Sequence, residues 1–363
     1  MSRAAGALLA VLLLAAGSCD TASSHTDGGE LYGVFDRDGG PAASASSALS
    51  AASASAANRR HAPDAGTAPR PPELHRKPVG GPCVRSTAPT PAAGAPSPPS
   101  KAERPAGRPA CRGGRVLEWR DPAGDPRYAC VVEPESVAQR APLPLILFFH
   151  SEIDTPTAVV QKTHLRERCS KVELSGDPEH RGFVVLGPQA RRTRSGLRFD
   201  STTATLENLD VQATDHFLGE LRHDGVVDGR RIYALGDGTG GRMAALYAML
   251  HPEQVAAYAM FGAEASSLEW SCESSPTPAM VLYRACDGVM PCERVEEWLQ
   301  QRQERQDTIV TLRLDEGRAE EPACVIGKRC SGQKAEANHN RWPKERESDV
   351  LDFFGRYSLD LGQ

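Results

Sequence analysis

The sequence predicts an α/β domain in which a mostly parallel β-sheet is flanked by helices and preceded by a disordered linker. Residues 143–149 and 183–186 form continuous apolar runs, which are typical of strands covered on both faces. Strand-like runs then alternate with helix-like segments, and this alternation favours a parallel sheet. We expect any functional site at the carboxyl ends of its strands.

The predicted elements follow one another from about residue 111 to residue 363, which is enough chain for one domain. After the two apolar runs, further strands are predicted at 231–235, 255–261, 280–283 and 308–314. Helices are predicted by apolar periodicity and flanking breakers at 209–221, 241–250, 293–306 and 348–357.

Composition narrows the class of protein. The net charge of -5 gives no reason to expect nucleic acid as a partner. The 10 cysteines include no Cys-x-x-Cys pair, which favours disulfides in an oxidising compartment over a metal cluster. The histidines have no His-Glu-x-x-His spacing, so neither a metal nor a cofactor is expected. The spacing of Cys286 with Cys292 and of Cys324 with Cys330 suits small loops, but order alone leaves the connectivity open.

The N-terminus has the pattern of an export signal. Arg3 precedes an apolar stretch at 4–17, which is short for a membrane span and suits a secretory signal peptide. Small residues before Cys19 resemble a bacterial lipobox, so residues 1–19 are predicted to be a lipoprotein signal with Cys19 lipidated. The alternative is an ordinary signal peptide and a secreted protein. Lipidation of Cys19 leaves nine cysteines, of which at least one is then not paired within the chain.

Residues 20–110 are predicted to form a low-complexity linker. Between residues 41 and 110, about two-thirds of the positions are Ala, Ser, Pro or Gly, and Phe, Tyr and Trp are absent. Such a segment would hold the domain of residues 111–363 away from a membrane surface.

Several segments in sequence order resemble secreted α/β-hydrolase esterases of the polyhydroxybutyrate depolymerase and feruloyl esterase type. They are Pro144-Leu-Ile-Leu-Phe-Phe-His150, Arg181-Gly-Phe-Val-Val-Leu186, Val227-Asp-Gly-Arg-Arg-Ile-Tyr-Ala-Leu-Gly236, Gly240-Gly-Arg-Met243, Asp287-Gly-Val-Met-Pro291 and Trp342-Pro343. The resemblance implies an α/β-hydrolase fold. It also implies a Ser-Asp-His triad with the serine on a sharp turn between a strand and a helix.

The nucleophile of that family is missing at this turn. Family members read Gly-x-Ser-x-Gly-Gly-x-Met, whereas this chain places Gly238 at the serine position. Glycine cannot attack a carbonyl, yet it adopts a strained elbow conformation at little cost. The backbone amides of Thr239 and Glu152 are the candidate oxyanion donors, although the family's His-Gly pair is His150-Ser151 here.

Of the other two triad positions, the acid matches the family motif, whereas the base does not match it in strict register. The flanking match places Asp287 at the acid position. The family reads His-x-Trp-Pro, whereas this chain has two residues between His339 and Trp342. Strict register with Trp342 places Asn340 at the base position, while a one-residue adjustment would place His339 there. We expect Gly238→Ser alone to give little activity unless Asn340 is also deleted.

These features favour a catalytically inactive protein with a binding or structural role. The ligand considered is an ester or a polysaccharide-like molecule, and the sequence does not identify it. One alternative is an active carboxylic-ester hydrolase with a different nucleophile, such as Asp237 or Thr239. A lesser alternative is dinucleotide binding, because Gly236, Gly238 and Gly241 match the Gly-x-Gly-x-x-Gly fingerprint and Glu264 follows about 20 residues later.

Overall fold

The structure, a computed structural model, describes residues 73–77, 82–86, 106–134, 142–193, 196–271, 276–314, 324 and 333–361. In chain order, the strands are β1 (Leu74–Arg76), β2 (Val84–Ser86), β3 (Arg115–Arg120), β4 (Pro126–Val132), β5 (Leu143–Phe149), β6 (Val184–Pro188), β7 (Arg191–Thr193), β8 (Gly196–Arg198), β9 (Val227–Asp237), β10 (Ala257–Phe261), β11 (Leu268–Trp270), β12 (Ala279–Arg284), β13 (Ile309–Leu314) and β14 (Tyr357–Leu359).

The helices are α1 (Ala158–Gln161), α2 (Leu165–Arg168), α3 (Leu209–His223), α4 (Thr239–Leu250), α5 (Cys292–Glu304), α6 (Gln333–Asn340) and α7 (Glu347–Phe354). The predicted strands and the helices at 209–221, 241–250 and 293–306 agree with these bounds within a few residues.

Eight strands form the central sheet in the order β13-β12-β10-β9-β5-β6-β4-β3. Only β4 runs antiparallel to both of its neighbours, and the remaining pairs between β6 and β13 are parallel. The predicted mostly parallel sheet is therefore confirmed. Its central strand β9 pairs with β5 and β10, so the turn that follows β9 lies in the middle of the carboxyl edge.

The sheet separates two apolar cores. Along β5, the side chains of Leu145, Leu147 and Phe149 belong to one core, and those of Ile146 and Phe148 to the other. This alternation is the two-residue period of a strand, and all five side chains are fully buried. The continuous apolar run in the sequence is thus explained by burial on both faces.

The folded unit begins earlier than predicted, because β1 and β2 lie inside the segment assigned to the linker. β1 pairs in parallel with β14, and β2 pairs with β11. Arg76 donates a hydrogen bond to the carbonyl of Val255 at 2.7 Å, and Cys83 is fully buried. Strands of three residues carry too little periodicity to be detected in a proline-rich sequence.

The C-terminal prediction also needs correction. A helix was expected over 348–357, but α7 ends at Phe354 and the chain enters β14. The parallel pairing of β14 with β1 captures these last residues as a strand. This contact with a distant segment overrides the local helical pattern.

Disulfides join Cys111 to Cys130 and Cys292 to Cys324. Cys292 therefore does not pair with Cys286, contrary to the spacing argument, although Cys286 is itself disulfide-bonded. Cys169 is buried and free.

Residues 1–19, with Cys19, and most of 20–110 lie outside the described residues. Among the helices that the structure describes, none has the length and apolar character needed to cross a membrane.

Candidate active site

The turn between β9 and α4 has the geometry of a nucleophile elbow. β9 ends at Asp237, α4 begins at Thr239, and Gly238 between them has φ 55° and ψ -119°. Residues with a side chain rarely adopt this positive φ, whereas glycine adopts it without strain. A β-carbon on Gly236 would lie 2.1 Å from the carbonyl oxygen of Gly240, so this tight turn also requires glycine beside the elbow.

The carboxylate of Asp287 is fixed after the end of β12. Its Oδ1 accepts hydrogen bonds from the backbone amides of Val289 and Met290, both at 2.8 Å. Its Oδ2 lies 2.9 Å from Nδ1 of His339. Asp287 is 5% exposed, so this carboxylate is held by three polar contacts in a nearly dry environment.

His339 lies between Asp287 and the turn at Gly238. Its Nδ1 contacts Asp287, and its Nε2 lies 3.5 Å from the point at which a β-carbon on Gly238 would stand. The structure therefore brings together Gly238, Asp287 and His339, three of the residues singled out from the sequence.

Asn340, the residue at the base position in strict register, does not face Asp287. Its amide donates a hydrogen bond to the carbonyl of Glu336 at 3.2 Å on the exposed side of α6. Consecutive helical residues point about 100° apart, so His339 and Asn340 cannot share one orientation. Helix α6 is not among the helices predicted from the sequence, so this orientation could not be predicted.

Buried polar contacts hold α6 against the sheet. Asn338 donates to the carbonyl of Cys286 at 2.9 Å. Arg284, at the end of β12, donates to the carbonyls of Asn338 at 3.1 Å and Arg341 at 2.8 Å. These bonds satisfy the carbonyls at the end of α6 and fix the helix that carries His339.

Charges around His339 act on its protonation. Burial opposes the charged imidazole, but the hydrogen bond and charge of Asp287, together with the charge of Asp237, outweigh burial and raise the pKa of His339. The charge of Lys162 acts in the opposite direction. The raised pKa makes the imidazole a stronger base than it is in water.

A partly buried ionic network lies beside the elbow. The ammonium of Lys162 pairs with the carboxylates of Asp237 and Asp154. Asp154 also accepts a hydrogen bond from the Ser151 hydroxyl at 2.6 Å. Burial raises the pKa of Asp237 to about 6, although Lys162 opposes this shift. The network joins the loop after β5 to the elbow, and no feature of the sequence pointed to Lys162 or Asp154.

The candidate oxyanion donors lie on both sides of the elbow. Thr239 is the first residue of α4, so its backbone amide is among those that a helix leaves without an intrahelical partner. Glu152 is exposed and follows Ser151, whose β-carbon lies 3.5 Å from the point where a β-carbon on Gly238 would stand.

His150 anchors the loop that carries Ser151 and Glu152. Its Nε2 accepts a hydrogen bond from the amide of Ala190 at 3.2 Å, so its Nδ1 donates to the carbonyl of Ser151 at 2.8 Å. Complete burial lowers the pKa of His150 to about 4. This imidazole is therefore a neutral structural group near pH 7.

The residues of the dinucleotide fingerprint are engaged in packing and ion pairs. A β-carbon on Gly241 would lie 2.9 Å from that of Ala263, so this glycine lets α4 pack closely against the chain after β10. Glu264 is fully buried, and Arg242 and Arg294 donate to its Oε1 at 2.6 Å and 2.7 Å. This carboxylate is thus neutralised inside the protein.

A potential metal-binding group is formed by Cys292, Glu293 and Cys324, whose ligand atoms lie within 4.8 Å of one another. The two sulfurs are joined in a disulfide, so neither is available as a thiolate. A single remaining carboxylate is not a metal site.

Comparison with known proteins finds similarity at the level of solved structures. No protein-family model matches the chain, and no curated protein matches it. A thermostable esterase is 17% identical with a TM-score of 0.45 over 68% of this chain and 63% of its own length, so this chain spans less than two thirds of that protein. A ferulic acid esterase is 14% identical with a TM-score of 0.49, covering 67% of this chain and 97% of its own.

An S-formylglutathione hydrolase from Agrobacterium tumefaciens is 15% identical with a TM-score of 0.45, covering 67% of this chain and 95% of its own. Nothing about substrate follows from similarity at this level. The strand order of the central sheet, the antiparallel β4 and the elbow after β9 define the architecture of the molecule itself. The chain has an α/β-hydrolase fold.

Proposed function

We propose that this protein is an α/β-hydrolase-fold protein that forms no acyl-enzyme and uses the site at Gly238 to bind a ligand. The observation that carries this proposal is the approach of His339 Nε2 to within 3.5 Å of the β-carbon position of a glycine. This contact supports the proposal because His339 and Asp287 would serve as base and acid in an esterase, whereas glycine supplies no atom that could attack an ester.

The neighbouring side chains do not supply a substitute nucleophile in the arrangement described. Asp237 is buried and paired with Lys162. The hydroxyl of Thr239 is buried, and the hydroxyl of Ser151 donates to Asp154. These contacts support a binding role over the alternative of an active esterase that uses another nucleophile.

The surface beside the site supports binding of a ligand with an apolar part. Ile153, two residues after Ser151, is 65% exposed, and Val289, two residues after Asp287, is 52% exposed. These two side chains supply apolar surface on the loops that carry Ser151 and Asp287.

The decisive experiment is covalent labelling with a fluorophosphonate together with hydrolysis of short-chain aryl esters. We expect the wild-type protein to show neither above background, and Gly238→Ser to be labelled at residue 238. Gly238→Ala is the matched control, because it adds the β-carbon without the hydroxyl and should stay unlabelled. Labelling of the wild-type protein at any serine of the site would contradict the proposal.

The same proposal includes export and lipid anchoring through Cys19. The supporting features are the apolar stretch at 4–17 and the small residues before Cys19. Cells fed a labelled fatty acid should incorporate it into the wild-type protein and not into Cys19→Ser. Recovery of an unlabelled protein cleaved at another position would show that the anchor is absent.

A further inference from the structure

We propose that the ligand of this site is an alcohol whose hydroxyl enters the space of the missing serine side chain and donates a hydrogen bond to Nε2 of His339. This inference rests on the proposed binding function of the Gly238 site. It specifies the chemical class of the ligand and the atom that recognises it.

The hydrogen-bonding state of His339 makes Nε2 an acceptor. The carboxylate of Asp287 accepts from Nδ1 at 2.9 Å, so Nδ1 carries the proton of the neutral imidazole. Within the described part of the chain, Asp287 is the hydrogen-bond partner found for this ring. A serine hydroxyl on the elbow would donate to Nε2, and Gly238 cannot.

The elbow leaves room for such a group. A β-carbon on Gly238 would have His339 Nε2 and the Ser151 β-carbon as its nearest neighbours, both at 3.5 Å. These are ordinary van der Waals contacts, so the space of a serine side chain is sterically open. A hydroxyl at the end of a ligand can fill it without displacing the backbone.

Local charge favours a neutral hydrogen-bond donor over an anion. The carboxylates of Asp287, Asp237 and Asp154 lie around the site, and Lys162 pairs with two of them. Acidic groups outnumber the single ammonium, so a carboxylate or phosphate ligand would enter a field of like charge. The exposed Ile153 and Val289 suit an apolar body attached to the hydroxyl.

The test uses three matched probes on protein labelled with ¹⁵N-histidine, in which NMR reports the Nε2 of His339. The probes are benzyl alcohol, benzyl methyl ether and benzoate. At a pH where His339 is neutral, we expect benzyl alcohol to shift this resonance and to bind about tenfold more tightly than the ether, the effect of one hydrogen bond.

Lowering the pH protonates Nε2 of His339, which can then donate a hydrogen bond to the oxygen of the alcohol or to that of the ether. The preference for alcohol over ether should therefore disappear, while benzoate should bind more tightly. With His339 neutral, equal binding of alcohol and ether, tighter binding of benzoate than of the alcohol, or no response of His339 to benzyl alcohol would each overturn the inference.

Substitutions at Gly238 test where the hydroxyl of benzyl alcohol binds. Gly238→Ala and Gly238→Ser fill the space and should each weaken benzyl alcohol binding about tenfold or more, whereas Gly219→Ala, on α3 with nothing within 4 Å of the added β-carbon, should leave it unchanged. Unchanged binding to folded Gly238→Ala would place the alcohol elsewhere and overturn the inference. Fluorophosphonate labelling of the wild-type protein would instead contradict the proposed function, so the two failures are distinguishable.

Discussion

The imidazole of His339 lies between the carboxylate of Asp287 and a glycine. Its Nδ1 is 2.9 Å from Asp287 Oδ2, and its Nε2 is 3.5 Å from the β-carbon position of Gly238. An imidazole and a carboxylate are therefore hydrogen-bonded to each other beside a position that has no side chain.

The first prediction concerns the role of Asp287 once a serine is restored. In the Gly238→Ser background, Asp287→Asn should lower aryl ester hydrolysis by up to about 10⁴-fold, because the amide favours the wrong imidazole tautomer. The measurement is kcat at a pH above the pKa of His339. A comparable rate in the double variant would show that Asp287 does not orient the imidazole of His339 for catalysis.

A second prediction separates His339 from Asn340. In the same background, Asn340→Ala should leave activity unchanged, because its amide bonds only the carbonyl of Glu336 among the described groups. Deleting Asn340 should lower activity, because it disturbs the end of α6 that Arg284 holds. The sequence alone predicts that the deletion raises activity. Higher activity after the deletion would therefore support the strict register, in which Asn340 stands at the base position.

The tight elbow makes a third prediction about stability. Gly236→Ala should lower the free energy of unfolding by about 3 kcal/mol, because the added β-carbon meets a backbone oxygen at 2.1 Å. Gly219→Ala is the matched control in helix α3, where it should raise stability by about 0.5–1 kcal/mol. Urea unfolding measures both, and equal stabilities for the two variants would contradict the elbow geometry.

The buried Asp237 makes a fourth prediction about pH. Its pKa is raised to about 6 from 3.8, so the native state binds the proton more tightly than the unfolded chain does. This group's contribution to stability is therefore present at low pH and falls as pH rises between about 4 and 6. The stability of Asp237→Asn relative to wild type should rise across that window and stay level above it, whereas parallel pH profiles would show that Asp237 has an ordinary pKa.

The disulfide pattern provides a fifth prediction. Peptide mapping under non-reducing conditions should recover Cys292 linked to Cys324, and a Cys286–Cys292 peptide would contradict the structure. Replacing both Cys292 and Cys324 by serine should lower the free energy of unfolding by about 3 kcal/mol, since the bond closes a loop with a sequence separation of 32.

Much of the fold could be predicted from the sequence because its signals are local. The apolar runs of β5 and β6 reflect burial on both faces of a sheet, which needs no knowledge of partners. The strands β1 and β14 could not be predicted, because three-residue strands exist only through pairing with each other. The lipidation of Cys19 stays a prediction.

At the site, the identity of residue 238 excludes a hydroxyl there, and the residues flanking Asp287 predict that it stands at the acid position. Which of His339 and Asn340 lies beside Asp287 depends on the face that α6 turns toward this carboxylate, and tertiary contacts place His339 there. Helix α6 is held there by Arg284 and by the carbonyl of Cys286, which lie more than 50 residues away in sequence. Local sequence patterns contain no information about contacts over such separations, and they decide where this imidazole points.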